Sequence, residues 1–334
     1  MSWKSLAIIA ISAICLLEGF LLYENQREKK NDSEYTLAYQ QNNRIYAVLS
    51  PSTLDFAGEP LPMNLYYVRE GVDRELLVNS YWQSNTLLLL KKANRYFRIM
   101  EPILKQYNIP DDFKYLALIE SGLSNVISPA GASGIWQFMP ETAKRYGLEI
   151  TEEVDERYNL EKSTIAACKL LANSYRIFGN WTLSAAAYNA GEGRIQKSLS
   201  EQKISNYYDL YLNSETSRYI YRIVALKLLY ENPTEFGFFL RNKDLYPSIP
   251  TYTVSIDSSI ASLVNYSNRL NINYKILKEF NPWLRKEKLT VKAGKKYLLT
   301  IPQKGYDNFE MLQQQAVEAE SFFNDTTVAG RLFR

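Results

Sequence analysis

The stretch YLALIESGLSNVISPAGASGIWQFM, residues 115–139, sets a single carboxylate, Glu120, among apolar neighbours. Phe113, Leu116, Ala117, Glu120 and Leu123 recur at the three- and four-residue spacing of one helical face. That spacing points Glu120 inward with the apolar side chains. A carboxyl taken out of water resists ionisation, so its pKa rises towards the range a general acid needs near neutral pH. The alternative for a lone Glu at a helix end is a solvated or paired side chain.

The residues C-terminal to Glu120 add to the chemical reading. Ser128-Pro129 leads into Gly131-Ala132-Ser133-Gly134, a turn whose backbone can approach a ligand closely. Ile135-Trp136-Gln137-Phe138-Met139 comes next, and Pro140 then opens another helix at its first position. An alanine-rich helix end, residues 185–191, would present Tyr188 and Asn189. Glu215-Thr216-Ser217-Arg218-Tyr219 begins a further helix. Taken singly, each cluster also reads as a loop, a close helix packing or a helix start.

Composition narrows the chemistry. The chain has no histidine, which removes Ser-His-Asp and Cys-His triads and histidine zinc sites. Acid–base work falls to Glu, Asp, Tyr or Lys. Cys15 and Cys168 lie in an apolar run and a helical run, so no disulfide between them is expected. A net charge of +3, with both signs mixed and no polybasic tract, gives no indication of nucleic acid. The 26 tyrosines suit stacking on sugars and equally well fill a core. No metal or cofactor is implied.

The elements that must position these residues read as mainly α. A long helix is expected over 79–107, with others after Pro140 and over 161–178, 181–190 and 215–231. Asp111 and Asp112 are suited to cap the Glu120 helix. The Pro-rich break near 246–254 marks a boundary. Beyond it, a strand at 252–254, helices at 258–269 and 273–280 and a strand ending at Pro302 form a small βααβ module. The expected organisation is an N-terminal anchor or signal segment over 1–23, then a tether and N-terminal extension over 24–75. A helical catalytic domain over 76–245, the small module over 250–302 and a tail over 303–334 complete it.

Residues 6–23 are apolar apart from Glu18 and Ser12, and as a helix would run about 27 Å, near the thickness of a bilayer core. With no small-x-small cleavage site after the run, an uncleaved anchor is favoured over a signal peptide. Arg27, Lys29 and Lys30 lie after the segment and only Lys4 precedes it, a bias that by itself places the bulk of the chain in the cytoplasm.

In this order, the ES pair at 120–121, GASGIWQ, AYNAGEG and ETxxY resemble the lytic transglycosylases of the soluble-transglycosylase type, over about residues 80–230. The resemblance implies a lysozyme-like helical fold and cleavage of the β-1,4 bond between N-acetylmuramic acid and N-acetylglucosamine in peptidoglycan. It implies Glu120 as catalytic acid/base, Ser128 bonding near the muramoyl group, and Gln137 and Met139 lining the groove. Tyr188 would orient the Glu120 carboxyl, and Tyr219 would contact sugar. With one carboxyl instead of the usual pair, roughly 5–9.5 Å apart, the expected product is a 1,6-anhydro sugar formed without water. The alternatives are a muramidase-type hydrolase using Glu141, Asp155 or Glu192 as second carboxylate, and a catalytically silent glycan-binding or scaffolding protein. Residues 250–302 resemble a LysM module, with Ser255-Ile256-Asp257-Ser258-Ser259 where the usual Gly-Asp-Thr turn stands. A peptidoglycan substrate requires the catalytic domain on the cell-wall side of the membrane, against the charge bias around the anchor.

Overall fold

The computed structural model describes residues 47–314 and, before them, only residues 18, 26, 30, 33, 34, 36 and 37. The chain divides into two compact units, Met1–Ala47 and Val48–Arg334. In the first, Lys30 and Glu34 form an exposed i,i+4 ion pair. The apolar run expected as an anchor lies, Glu18 apart, outside the described residues. Among the described residues no helix is long and apolar enough to cross a membrane.

The second unit opens with a two-stranded hairpin, β1 (Asp55–Phe56) and β2 (Glu59–Pro60), succeeded by α1 (Tyr66–Tyr81) and α2 (Gln83–Gln106). The long helix expected over 79–107 is thus the second of a pair that breaks at Trp82, and α1 lies across the expected boundary at 75. The buried face of α1 holds only Val68, Val72 and Leu76 as large apolar side chains, with Glu75 and Ser80 between and beside them. That mixture hides its period.

A single 3₁₀ turn, Asp111–Phe113, leads into α3 (Lys114–Ser121), whose residues 114–118 are all buried. Asp111 and Asp112 do not cap it. Asp111 pairs with Lys114 at 2.5 Å, while Asp112 accepts from the Ala57 amide at 2.7 Å and Lys227 at 2.8 Å. Gly122, in the left-handed region, ends the helix and returns its amide to the Leu118 carbonyl.

Then come α4 (Pro140–Arg145), α5 (Leu160–Phe178), α6 (Trp181–Ala190), α7 (Glu192–Gln202), α8 (Ser214–Ser217) and α9 (Tyr219–Glu231). Asn159 caps α5 and Asn180 caps α6 through their side chains. Glu59 of β2 reaches the start of α6, accepting from the Trp181 and Thr182 amides at 2.6 and 2.9 Å. A carboxylate there satisfies free donors and complements the helix dipole. Helix α9 is the centre of the domain: Tyr219, Ile220, Tyr221, Ile223, Val224, Ala225, Leu226 and Leu229 are buried on every side of it. It packs on α1, α3 and α6.

The C-terminal module is the expected βααβ unit. β3 (Thr251–Ile256) pairs antiparallel with β4 (Tyr297–Pro302), from Thr251↔Pro302 to Ile256↔Tyr297. Between them lie α10 (Leu263–Arg269) and α11 (Tyr274–Phe280). Asn281 is fully buried and acts as its polar staple, donating to the Leu277 and Thr300 carbonyls and accepting from the Thr300 amide. The module's core also takes in Val154 and Tyr158 from the preceding domain.

Candidate active site

Glu120 occupies the last turn of α3, partly open to solvent. Tyr219, the first residue of α9, donates its hydroxyl to Glu120 Oε1 in a short hydrogen bond. Burial pushes the Glu120 carboxyl up to about 7. The Tyr219 bond and the Arg222 guanidinium pull against that rise, and the charge of Glu215 adds to it. Arg222 is fixed by donating to the Ile119 carbonyl at 3.0 Å. Its signal in the sequence is its place three residues after Tyr219, on the same face of α9.

Tyr188 does not bond Glu120, the role the resemblance implies for it. Its hydroxyl donates to the Trp136 carbonyl at 2.6 Å, so it braces the turn beyond Glu120. Burial, reinforced by the Glu120 charge, holds the Tyr188 phenol well above its usual range. The bond to the carboxyl expected of Tyr188 is made by Tyr219 instead.

Ser121 Oγ donates to the Ile135 carbonyl at 2.8 Å and ties α3 to the far arm of the turn. Ser128 Oγ accepts the Ala132 amide at 3.0 Å, which occupies a lone pair and not its proton. Trp136 is fully buried, its indole N–H donating to Thr164 at 2.8 Å. Its neighbour Gln137 has φ +49°, a left-handed backbone that non-glycine residues adopt at a cost and that clusters at functional sites. The Gln137 amide nitrogen donates to the Gly134 and Val126 carbonyls at 2.6 and 3.1 Å. Met139 stands 44% exposed at the end of the turn. Asn189 bridges Glu215 and Thr216, at 3.2 and 2.8 Å, and so joins the end of α6 to α8.

The three carboxylates that could serve as a second catalytic group are engaged elsewhere. Glu141 is exposed and pairs with Lys144 at 3.4 Å. Asp155 is buried against Arg157 at 2.7 Å. Glu192 lies in the first turn of α7 and accepts from Asn173 and Ser174 at 2.8 Å each. Among the described residues no three His, Cys, Asp or Glu side chains converge to hold a metal ion.

Glu120 is thus a partly open carboxyl raised to about 7 and bonded by a buried phenol, a group able to hold or release a proton near neutral pH. Residues 99–210 match the family model of the transglycosylase SLT domain, and residues 252–305 that of the soluble lytic transglycosylase C-terminal LysM-like domain. The chain thus carries an SLT transglycosylase domain and, after it, a LysM-like domain, and its architecture is mainly helical with a small strand-containing module. It is 29% identical over 261 residues to Membrane-bound lytic murein transglycosylase D of Escherichia coli (strain K12), covering 75% of this chain and 56% of that protein. It is 44% identical over 70 residues to Peptidoglycan transglycosylase gp16 of Escherichia phage T7, which is 20% of this chain and 5% of that one. The solved 70 kDa soluble lytic transglycosylase of Escherichia coli aligns with a TM-score of 0.38 and 23% identity, over 49% of this chain and 31% of that one. The chain spans about half the length of the murein transglycosylase it matches. Glu120 falls within the matched SLT stretch, and Tyr219 beyond it.

Proposed function

We propose that the chain is a peptidoglycan lytic transglycosylase that cleaves the β-1,4 bond between N-acetylmuramic acid and N-acetylglucosamine and leaves 1,6-anhydromuramic acid ends. The observation that carries this is Glu120 itself: a carboxyl raised to about 7, with the three rival carboxylates bound to other partners.

At that pKa roughly half the molecules hold the proton at neutral pH. Protonated Glu120 donates to the glycosidic oxygen as the bond to C1 of the muramic residue breaks, and the N-acetyl group of the same sugar stabilises the cationic centre. Ionised Glu120 then takes the proton of the C6 hydroxyl as O6 bonds to C1. The ring closes without water, and the acid is restored. One group serves in both directions because its pKa lies near the working pH. Tyr219 supports the step by holding Oε1, so that the carboxyl is oriented in both states. Ser128, Gln137, Met139 and Asn189 line the surrounding surface as substrate contacts, and Tyr188 acts through the Trp136 carbonyl.

The same reading puts the enzyme in the cell envelope, on the cell-wall side of a membrane, with residues 6–23 as its anchor and glycan strands as its partner. The LysM-like domain would add a second hold on glycan. Digestion of purified peptidoglycan by the protein and by Glu120→Gln, with products identified by mass spectrometry, tests the proposal. Anhydro-ended products that vanish with the variant support it. Reducing-end products that still need Glu120 would mean hydrolysis, and intact peptidoglycan with a folded protein would mean a binding or scaffolding role.

A further inference from the structure

Residues 149–158 lie between the two domains and are gripped from both sides. From the C-terminal side, the Trp283 carbonyl accepts the Asp155 amide at 2.9 Å, and the Arg285 amide donates to the Glu153 carbonyl at 2.7 Å. Glu149 pairs with Lys295 at 2.5 Å and accepts from the Tyr297 hydroxyl at 3.1 Å. Glu153 pairs with Lys288 at 3.2 Å and accepts from the Thr290 amide at 2.7 Å. The Arg285 guanidinium lies over the Tyr158 ring, 4.2 Å from its centroid.

From the catalytic side the same segment supplies Arg157, which is buried. Asp155 holds it in a fork, accepting from Nε at 3.0 Å and Nη2 at 2.7 Å. The remaining nitrogen, Nη1, donates to the carbonyls of Gly131 and Phe138 at 3.0 and 3.1 Å. Those two carbonyls are the two arms of the turn that carries Gln137 and precedes Met139. The turn is pressed onto this segment so closely that a Cβ at Gly134 would sit 2.0 Å from the Arg157 carbonyl oxygen.

We infer that the LysM-like domain is part of the scaffold of the active site: by clamping residues 149–158 it fixes Arg157 as a positioning residue for the 131–139 turn. This rests on reading that turn and Glu120 as the catalytic groove. A site held within fractions of an ångström needs a support whose own rotamer is locked, and the Asp155 fork and the seam behind it provide one. The domain would then act on turnover, apart from any affinity it has for glycan.

The test uses the full chain and two variants: Glu149→Ala/Glu153→Ala, which loosens the seam without entering either core, and Arg157→Lys, which keeps the charge but loses the fork. Steady-state cleavage of soluble glycan chains and hydrogen exchange at the Ser133 and Phe138 amides are measured on protein shown to be folded. The expected result is a kcat lowered about tenfold in both variants, with KM little changed, because misplacement of a groove wall acts on the reacting geometry. Exchange at the two amides should rise in parallel. A lowered melting temperature with kcat and exchange unchanged would overturn the inference, as would a rise in KM alone. An inactive but folded parent protein counts against the proposed function instead. The exchange comparison still decides the brace in that case.

Discussion

Tyr219 and Glu120 stand ninety-nine residues apart in the chain and share one hydrogen bond, made where the start of α9 meets the end of α3. The contact opposes the effect of its own surroundings. Burial favours the neutral carboxyl, and the phenol stabilises the charged one. The balance, near 7, is the property on which both the acid and the base step of the proposed mechanism depend.

Removing the phenol should therefore move the carboxyl further towards the neutral form. For Tyr219→Phe we expect the alkaline limb of the rate–pH profile to shift to higher pH, since the group that must be protonated holds its proton longer. The rate at neutral pH should fall about tenfold or more, because the carboxyl also loses its fixed orientation. Rate profiles of the parent and variant over the same pH range check both.

Glu120 should also be visible in stability. Its folded pKa of about 7 lies above the ordinary value of 4.5, so the folded state binds more protons between those values and stability falls as pH rises through that window. The loss, about 3 kcal/mol, is complete above the folded pKa and absent below the unfolded one. Glu120→Gln keeps an acceptor for Tyr219 and cannot ionise. Its denaturation midpoint should match the parent at about pH 4 and exceed it at about pH 8, while its cleavage rate falls about a thousandfold.

How much of this can be read from residues alone depends on reach. The inward face of α3 is set by spacing within eight residues, and the βααβ module by two strands and a break. Which tyrosine meets Glu120 is not legible, because two buried hydroxyls compete and the docking of α9 decides between them. Asp155 reads in the sequence as a spare carboxylate because the second task of its partner Arg157, at Gly131 and Phe138, lies in tertiary structure. Helix α1 is illegible for a related reason: its buried stripe includes a glutamate.

That glutamate, Glu75, accepts from both Arg74 and Arg218 at 2.6 and 2.7 Å while itself buried. Glu75→Ala should cost about 2 kcal/mol, less than a fully buried pair because both arginines keep some solvent. Arg218 directly precedes Tyr219, so the cleavage rate of the folded variant should fall as well. Chemical denaturation and rate measurements on one preparation separate the two effects.

Gly134 offers a sharper case. Its φ of +82° and the Arg157 carbonyl 2.0 Å from any added Cβ leave no room for a side chain. Gly134→Ala should destabilise the protein by about 2 to 5 kcal/mol, combining backbone strain with a clash against rigid backbone. Gly131 also has a positive φ but meets nothing within 4 Å, so Gly131→Ala should suffer only the strain. Comparing the two unfolding midpoints isolates the steric part.

The pairing of α1 with α9 has a consequence for how the chain is made. Gly71 lies against the Tyr221 ring and Glu75 holds Arg218 at the start of α9, while Tyr67 reaches Asp209, ahead of α8, at 2.6 Å. About 150 residues separate the end of α1 from the end of α9. At ribosomal speed that is a delay of roughly 8 to 30 seconds, during which Val68, Val72 and Leu76 have no native partner on α9. The N-terminal helix of the domain is synthesised first and can be seated only when the last helix arrives, so its sparse apolar face, interrupted by Glu75 and Ser80, also limits what it can stick to while it waits.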